Sequence, residues 1–154
     1  MTTGTRKSQQ ERPQRTPSLM LYVVKQLELV ARARLDEVLR PAGLTALQYT
    51  ALSVLERRPS MTSSDLARSS FVRVQSTSDL VAALTKRGLI QRTVDPTNRR
   101  RLLISLTDAG YDVLHEYDPQ VADIEEEMLR ELDDEQREQF RHFLVAGRQA
   151  LEER

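Results

Sequence analysis

Residues 62–106 read TSSDLARSSFVRVQSTSDLVAALTKRGLIQRTVDPTNRRRLLISL, and this stretch decides the fold. Thr62-Ser-Ser-Asp65 is a helix start: a hydroxyl at the cap and a carboxylate three residues on both meet the free N–H groups of a first turn. Leu66 and Ala67 are the apolar anchors of the short helix that follows, and Ser69-Ser70-Phe71 reads as the break after it. A further helix is expected over about Val74–Arg87, closed by Gly88, a residue that takes the left-handed C-cap conformation without penalty. The period then changes. Leu89, Ile90 and Val94 precede Asp95-Pro-Thr-Asn98, and Leu102, Ile104 and Leu106 alternate after it. Two short strands joined by a turn of about six residues are predicted. Arg99, Arg100 and Arg101 fall at the tip or on the return strand.

Two helices joined by a few residues have the proportions of a helix-turn-helix. On the second, Thr77, Leu80, Val81 and Leu84 share one face at helical spacing and should pack on Leu66 and the helix before it. The opposite face carries Gln75, Ser76, Ser78, Asp79, Ala82 and Lys86, all small or polar. A helix that lies in the major groove needs such a face, because small residues allow close approach and Gln can pair bidentately with adenine. Gln75, Ser76 and Ser78 lie near the N-terminal end and are the expected base contacts. A hairpin ending in Arg99 and Arg100 can press into a narrow minor groove, whose negative potential favours arginine. Helix-turn-helix plus hairpin is a winged helix. Each element alone is a weak signal, and their order in one short basic stretch is more specific. The competing readings are an ordinary solvent face, and a winged helix used only for protein–protein contact, its basic stripe meeting an acidic partner.

Working outward, residues 1–16 are read as a disordered tail, since they hold almost no apolar side chain. A long helix is expected from Pro17 to about Arg40, with Leu19, Val23, Leu27, Val30 and Val38 at helical spacing, ended by Pro41-Ala-Gly43. Thr45-Ala-Leu-Gln48 is a capping-box pattern opening a second helix through Leu55. After the hairpin, Thr107 caps a fifth helix reaching about Leu132, with a kink or interruption expected at Asp118-Pro119. Asp133-Asp-Glu-Gln136 caps a sixth. The fold class is therefore mainly α with a small β-hairpin. A winged helix-turn-helix domain over 45–106 joins a helical dimerisation region over 17–44 and 107–154.

Net charge is zero, but its distribution is not even: +3 over residues 1–56, +7 over 57–101 and −10 over 102–154. An asymmetry of this size points to a polyanion meeting the middle segment, with the acidic third facing away. The absence of cysteine excludes a disulfide scaffold, a thiol nucleophile, a Cys-type zinc site and a thiol redox sensor. His115 and His142 are the only histidines, and no His-Glu-x-x-His, G-x-S-x-G or phosphate-cradling glycine loop is present. Both read as helical surface residues, and the chain is expected to be no enzyme and to need no metal or cofactor. No run approaches the ~18 apolar residues of a membrane span. Without an apolar signal segment at Met1–Pro17, a cytoplasmic location is expected.

Over roughly Pro17–Leu151 the chain resembles the MarR family of bacterial transcriptional regulators. The resemblance rests on Gly43-Leu-Thr-Ala-Leu-Gln48-Tyr49, Leu66-Ala67, Gln75-Ser76, Leu80-Val81, Leu84 and Arg87-Gly88-Leu89. It extends to Asp95-Pro-Thr-Asn98-Arg99-Arg100 and, most specifically, Leu106-Thr107-Asp-Ala-Gly110. Two positions depart from the pattern. Asn98 stands where many members carry Asp, which weakens an ion pair that would hold the wing arginine to a hydrogen bond. Arg73-Val74 stands where a Ser or Thr cap is common.

The resemblance implies a homodimer, its first, fifth and sixth helices interlocked about a twofold axis, with two winged helices reading a palindromic operator in double-stranded DNA. It places Arg100 as the wing side chain in the minor groove. Backbone contacts are expected from Thr62, Ser64, Arg73, Lys86 and Arg99. It implies repression relieved by a small phenolic or aromatic acid lodged between the dimer helices and the winged helix. Arg15, Leu19, Met20, Tyr22, Gln48, Tyr49 and Tyr111 are the expected lining, with Arg15 pairing a carboxylate. A solvent-exposed tail arginine, and core aromatics at Tyr22 and Tyr49, are the plainer alternatives. Independently of the family, Val113, Leu114, Tyr117, Val121, Ile124, Met128, Leu132, Phe140, Phe143 and Leu144 form an apolar set too large for so small a body, and a partner is expected to cover it.

Overall fold

The computed structural model describes residues 19–70 and 74–152, without the side chains of Val74 and Gln75. The expectations for the 1–16 tail, Arg15, Pro17, Phe71 and Arg73 lie outside the described residues. Six helices and one hairpin follow in order: α1 Met20–Leu39, α2 Ala46–Arg57, α3 Ser63–Ser70, α4 Val74–Lys86, β1 Ile90–Asp95, β2 Asn98–Leu106, α5 Asp108–Leu129 and α6 Asp134–Glu152. A single 3-10 turn, Arg40–Ala42, joins α1 to α2 and closes at Gly43 with φ 63°.

The local signals act as expected. Thr45 and Gln48 form a reciprocal capping box on α2. Asp133 and Gln136 make the same pair of bonds before α6, at 2.9 and 3.0 Å. Thr107 accepts from the Gly110 N–H at 3.2 Å and opens α5. Gly88 ends the α4 segment at φ 70°. Three expectations are corrected. α3 runs through Ser69 and Ser70, which belong to the helix and not to a break. α5 is continuous, with Pro119 inside it, and ends at Leu129 rather than Leu132. The hairpin turn is only Pro96-Thr97, because Asp95 pairs with Asn98.

The core gathers Leu39, Leu44, Tyr49, Leu52, Leu55, Leu66, Val81, Leu84, Ile90, Ile104 and Leu114 from every element except α6. Tyr49 is buried, and its hydroxyl donates to Asp118 Oδ1 at 2.5 Å, tying α2 to α5. Burial and this carboxylate push its pKa up, so the phenol stays protonated. The plainer alternative for Tyr22, a core aromatic, does not hold: it is 58 % exposed near the start of α1. Leu114 and Tyr117 are corrected the other way: they fill the chain's own core and need no partner. Met61 pairs with Ile104 through two backbone hydrogen bonds, 3.1 and 2.7 Å, which fastens the hairpin to the α2–α3 connection.

Gly110 is where α5 meets the end of the α4 segment. Thr107 donates its N–H to Leu89 O at 3.1 Å and its hydroxyl to Gly88 O at 2.5 Å. A Cβ at Gly110 would lie 2.2 Å from Leu89 O, so only glycine permits this approach. Among the described residues no helix is long and apolar enough to cross a membrane.

Candidate nucleic-acid interface

On α4 the division into two faces is complete. Thr77, Leu80, Val81 and Leu84 are buried, while Ser76, Ser78, Asp79, Ala82 and Lys86 are exposed. The backbone of Gln75 lies in the first turn of α4, beside Ser76. Burial of an apolar stripe on α2 and α3 leaves the polar stripe outward by helical geometry alone.

At the N-terminus of α3, Thr62 is already engaged. Its hydroxyl accepts from the Asp65 N–H at 3.1 Å and donates to Asp65 Oδ2 at 2.6 Å. The Thr62 hydroxyl and the Arg68 guanidinium, which is 2.5 Å from Asp65 Oδ1, hold that carboxyl below its ordinary value. Ser64 is exposed at the same end, and Lys86 is exposed at the far end of α4.

The wing has more internal structure than its sequence shows. Pairing runs regularly from Ile90↔Leu106 to Val94↔Leu102, then jumps to Asp95↔Asn98. Arg99, Arg100 and Arg101 occupy the jump, out of register with β1. A bulge of this kind re-aims side chains. Arg101 Nε lies 3.7 Å from Asp95 Oδ2, so this arginine turns back along the hairpin. Asp95 is itself buried and accepts from the Thr97 N–H at 2.8 Å and hydroxyl at 2.7 Å. Those Thr97 bonds, with the Arg101 charge behind them, depress its pKa. Asn98 accepts from the Arg100 backbone N–H at 3.1 Å, so it shapes the chain and leaves the guanidinium alone. Arg99 and Arg100 make no ion pair among the described residues and are exposed. Sequence reasoning noticed Asp95 only as a turn residue, and gave Arg87 no role beyond its place in a motif.

Of the residues expected to line an effector cavity, the six that are described are not gathered around one cleft within a single chain. Leu19, Met20 and Tyr22 are exposed at the start of α1. The Gln48 side-chain oxygen accepts from the Thr45 N–H in the α2 cap. Tyr111 is exposed, its ring 6.3 Å from that of His115. Tyr49 borders a cleft of about 200 Å³ with Leu35, Thr50, Ser53, Arg57 and Val121. A cleft of about 650 Å³ opens between α1 and the winged helix, bordered by Arg32, Asp36, Leu47, Thr50, Ser70 and Ser76 among others. Its border includes none of the six expected residues that are described. His115 and His142 sit on helix surfaces as expected, and among the described residues no group of three or more His, Cys, Asp or Glu could hold a metal ion.

A helix-turn-helix with an exposed polar reading face, followed at once by an arginine-bearing hairpin, defines a winged helix-turn-helix DNA-binding protein. A profile of the MarR family matches residues 42–101. The chain is 30 % identical over 107 residues to the uncharacterized HTH-type transcriptional regulator YhbI of Bacillus subtilis (strain 168), covering 70 % of each protein. A probable transcriptional regulator from Pseudomonas aeruginosa superposes with a TM-score of 0.72 at 30 % identity, over 83 % of this chain and 96 % of that one. The transcriptional repressor CouR, bound to a 23-mer DNA duplex, superposes with a TM-score of 0.75 at 26 % identity, over 83 % and 91 % of the two chains. The chain belongs to the MarR family, and it is a transcriptional regulator rather than an enzyme.

Proposed function

We propose that the protein is a homodimeric repressor that reads a palindromic operator and is released from it by a small aromatic effector. The observation that carries the reading is the combination of an exposed polar face on α4 with two exposed arginines in the wing bulge. In this reading Gln75, Ser76 and Ser78 contact base edges, Arg100 enters the flanking minor groove, and Ser64, Arg73, Lys86 and Arg99 hold phosphates. Thr62 serves phosphate only if the cap rearranges, because its hydroxyl and its backbone N–H both bond Asp65. The duplex bound to CouR supports DNA over an acidic protein as the partner.

The dimer is supported by what one chain leaves uncovered. α6 buries no residue, and Phe143 and Leu151 are 67 % and 68 % exposed on it. At the other end, Leu19 and the first residues of α1, Met20, Leu21 and Tyr22, are all exposed. Monomers seldom leave contiguous apolar patches of this size, and a twofold pairing covers both at once.

For the effector, the 650 Å³ cleft is the favoured entry because it touches both α1 and Ser76 on the reading helix. Occupancy there changes how the two pack, which is the differential contact that any population shift requires. Selection of bound duplexes from a random pool tests the DNA reading and returns the half-site spacing. A pool that yields no enriched palindrome refutes it. A carboxylated aromatic that weakens binding, tested against Arg15→Ala and Arg32→Ala, tells the tail arginine from the cleft arginine.

A further inference from the structure

Arg87 follows the last residue of α4, and its side chain leaves the reading unit. Nη1 donates to the Gly43 carbonyl at 2.9 Å and Nη2 to the Ala42 carbonyl at 2.5 Å. Those carbonyls belong to the turn at which α1 passes into α2. Carbonyls at a helix end lack intrahelical partners and carry the negative end of its dipole, so a guanidinium both satisfies and neutralises them. The planar fork matters here. Two donors in fixed relation, on two consecutive carbonyls, set an angle as well as a distance, which a point charge on a flexible stem cannot do. Other side chains fasten this corner to the long helices: Asp36 Oδ1 accepts from the Ala46 N–H at 2.6 Å, and Tyr49 bonds Asp118. Arg87 carries that hold to the C-terminal end of the reading helix.

We propose that Arg87 is a positioning residue that sets the angle of each reading helix against α1, and so determines which half-site spacing the dimer accepts. This rests on the palindrome-reading dimer proposed above. α1 opens with the exposed apolar residues left for the partner, so it moves with the dimer body, whereas α4 must meet the groove. Half-sites one helical turn apart present their grooves at a fixed separation and phase. A reading helix free to swing about the α1–α2 corner tolerates several separations, and one tied to that corner tolerates few. Because its guanidinium is spent on carbonyls, Arg87 is no phosphate contact despite lying in the most basic third of the chain.

The test uses the full chain as wild type and as Arg87→Met, which keeps the stem and loses the donors. Affinities are measured over a salt series for the selected operator, for the same half-sites with one or two base pairs inserted or deleted between them, and for a single half-site. Wild type is expected to discriminate against the altered spacings. The methionine variant is expected to keep single half-site affinity within about twofold and an unchanged salt slope, while its discrimination among spacings falls roughly tenfold. Unchanged discrimination overturns the proposal. So does an equal loss on every duplex, or a salt slope reduced by about one, the mark of a lost phosphate contact. If wild type itself shows no preference for spacing, the two-copy reading fails and takes this inference with it; sedimentation of the same sample identifies that case. Should the methionine variant not fold, Arg87→Lys carries the comparison. A partial loss of discrimination is expected from a single nitrogen without the fork, and full wild-type discrimination overturns the assignment.

Discussion

Gly110→Ala is the sharpest test of how the DNA-reading unit is held to the rest of the chain. The added Cβ would lie 2.2 Å from Leu89 O and 3.2 Å from Leu106 Cδ2. An ordinary carbon–oxygen contact is about 1 Å longer than the first of these, so α5 or the Leu89 strand start must move by roughly that much. The obstacle is backbone, which cannot rotate away as a side-chain end would. Overpacking of this kind costs about 1–3 kcal/mol. If the shift also breaks the Thr107 N–H bond to Leu89 O, about 1 kcal/mol more is lost. Against this, alanine in a helix gains at most about 1 kcal/mol over glycine. The net expectation is a destabilisation of about 1–3 kcal/mol, a fall in Tm of roughly 3–10 °C for a chain of this size. Thermal unfolding followed by circular dichroism, at fixed protein concentration because association shifts Tm, measures it. Operator affinity should fall as well at temperatures where the variant is folded, since the shift displaces the end of the α4 segment. An unchanged or higher Tm with unchanged operator affinity would refute the reasoning.

Gly147→Ala should act with the opposite sign: its Cβ meets nothing within 4 Å on α6, so helix propensity alone predicts a gain of about 0.5–1 kcal/mol, and a loss in the same melts would place a partner's atoms against that glycine. Gln75→Ala should cost about 1–3 kcal/mol on the selected operator and far less on random duplexes, whereas equal losses would make Gln75 a positional contact only. Arg100→Ala should weaken operator binding and flatten a preference for A·T flanks, while Arg99→Ala weakens all duplexes alike and lowers the salt slope by about one; wild-type behaviour in both would show that the bulge does not touch DNA. The carboxyl of Asp95 is held below its ordinary 3.8 in the folded wing, so what it contributes is present in full above that value and is lost as pH falls through the lower folded value. The Thr97 amide resonance should therefore titrate with a midpoint below 3.8 and stop titrating in Asp95→Asn; a midpoint above 3.8 contradicts the assignment.

What was legible in the sequence shares one property: its causes lie within about four residues of its effects. The capping boxes at Thr45/Gln48 and Asp133/Gln136, the Gly88 stop and the polar stripe on α4 all follow from backbone geometry and helical period. The wing shows the limit. Alternation at Leu102, Ile104 and Leu106 located β2, yet the placement of three arginines in a register jump depends on Asp95 choosing Asn98 as its partner. That Arg101 could point back along the strand was expected, but nothing in the spacing of the arginines announced Asp95 as the group it meets.

By itself, the sequence determined the order and type of the elements, the helix face that stays polar, the basic middle and the acidic end. These need only propensity, period and composition. Tertiary structure decided which apolar residues the chain uses up and which it leaves over. Tyr49 and Tyr22 both lie on helices with apolar neighbours, yet one is sealed against α5 and the other stands in solvent. Leu114 and Phe143 divide in the same way. It also decided the Met61–Ile104 bridge, the close approach at Gly110 and the Arg87 fork. Each of these joins groups far apart along the chain, and a side chain's local period cannot encode which distant backbone will arrive beside it.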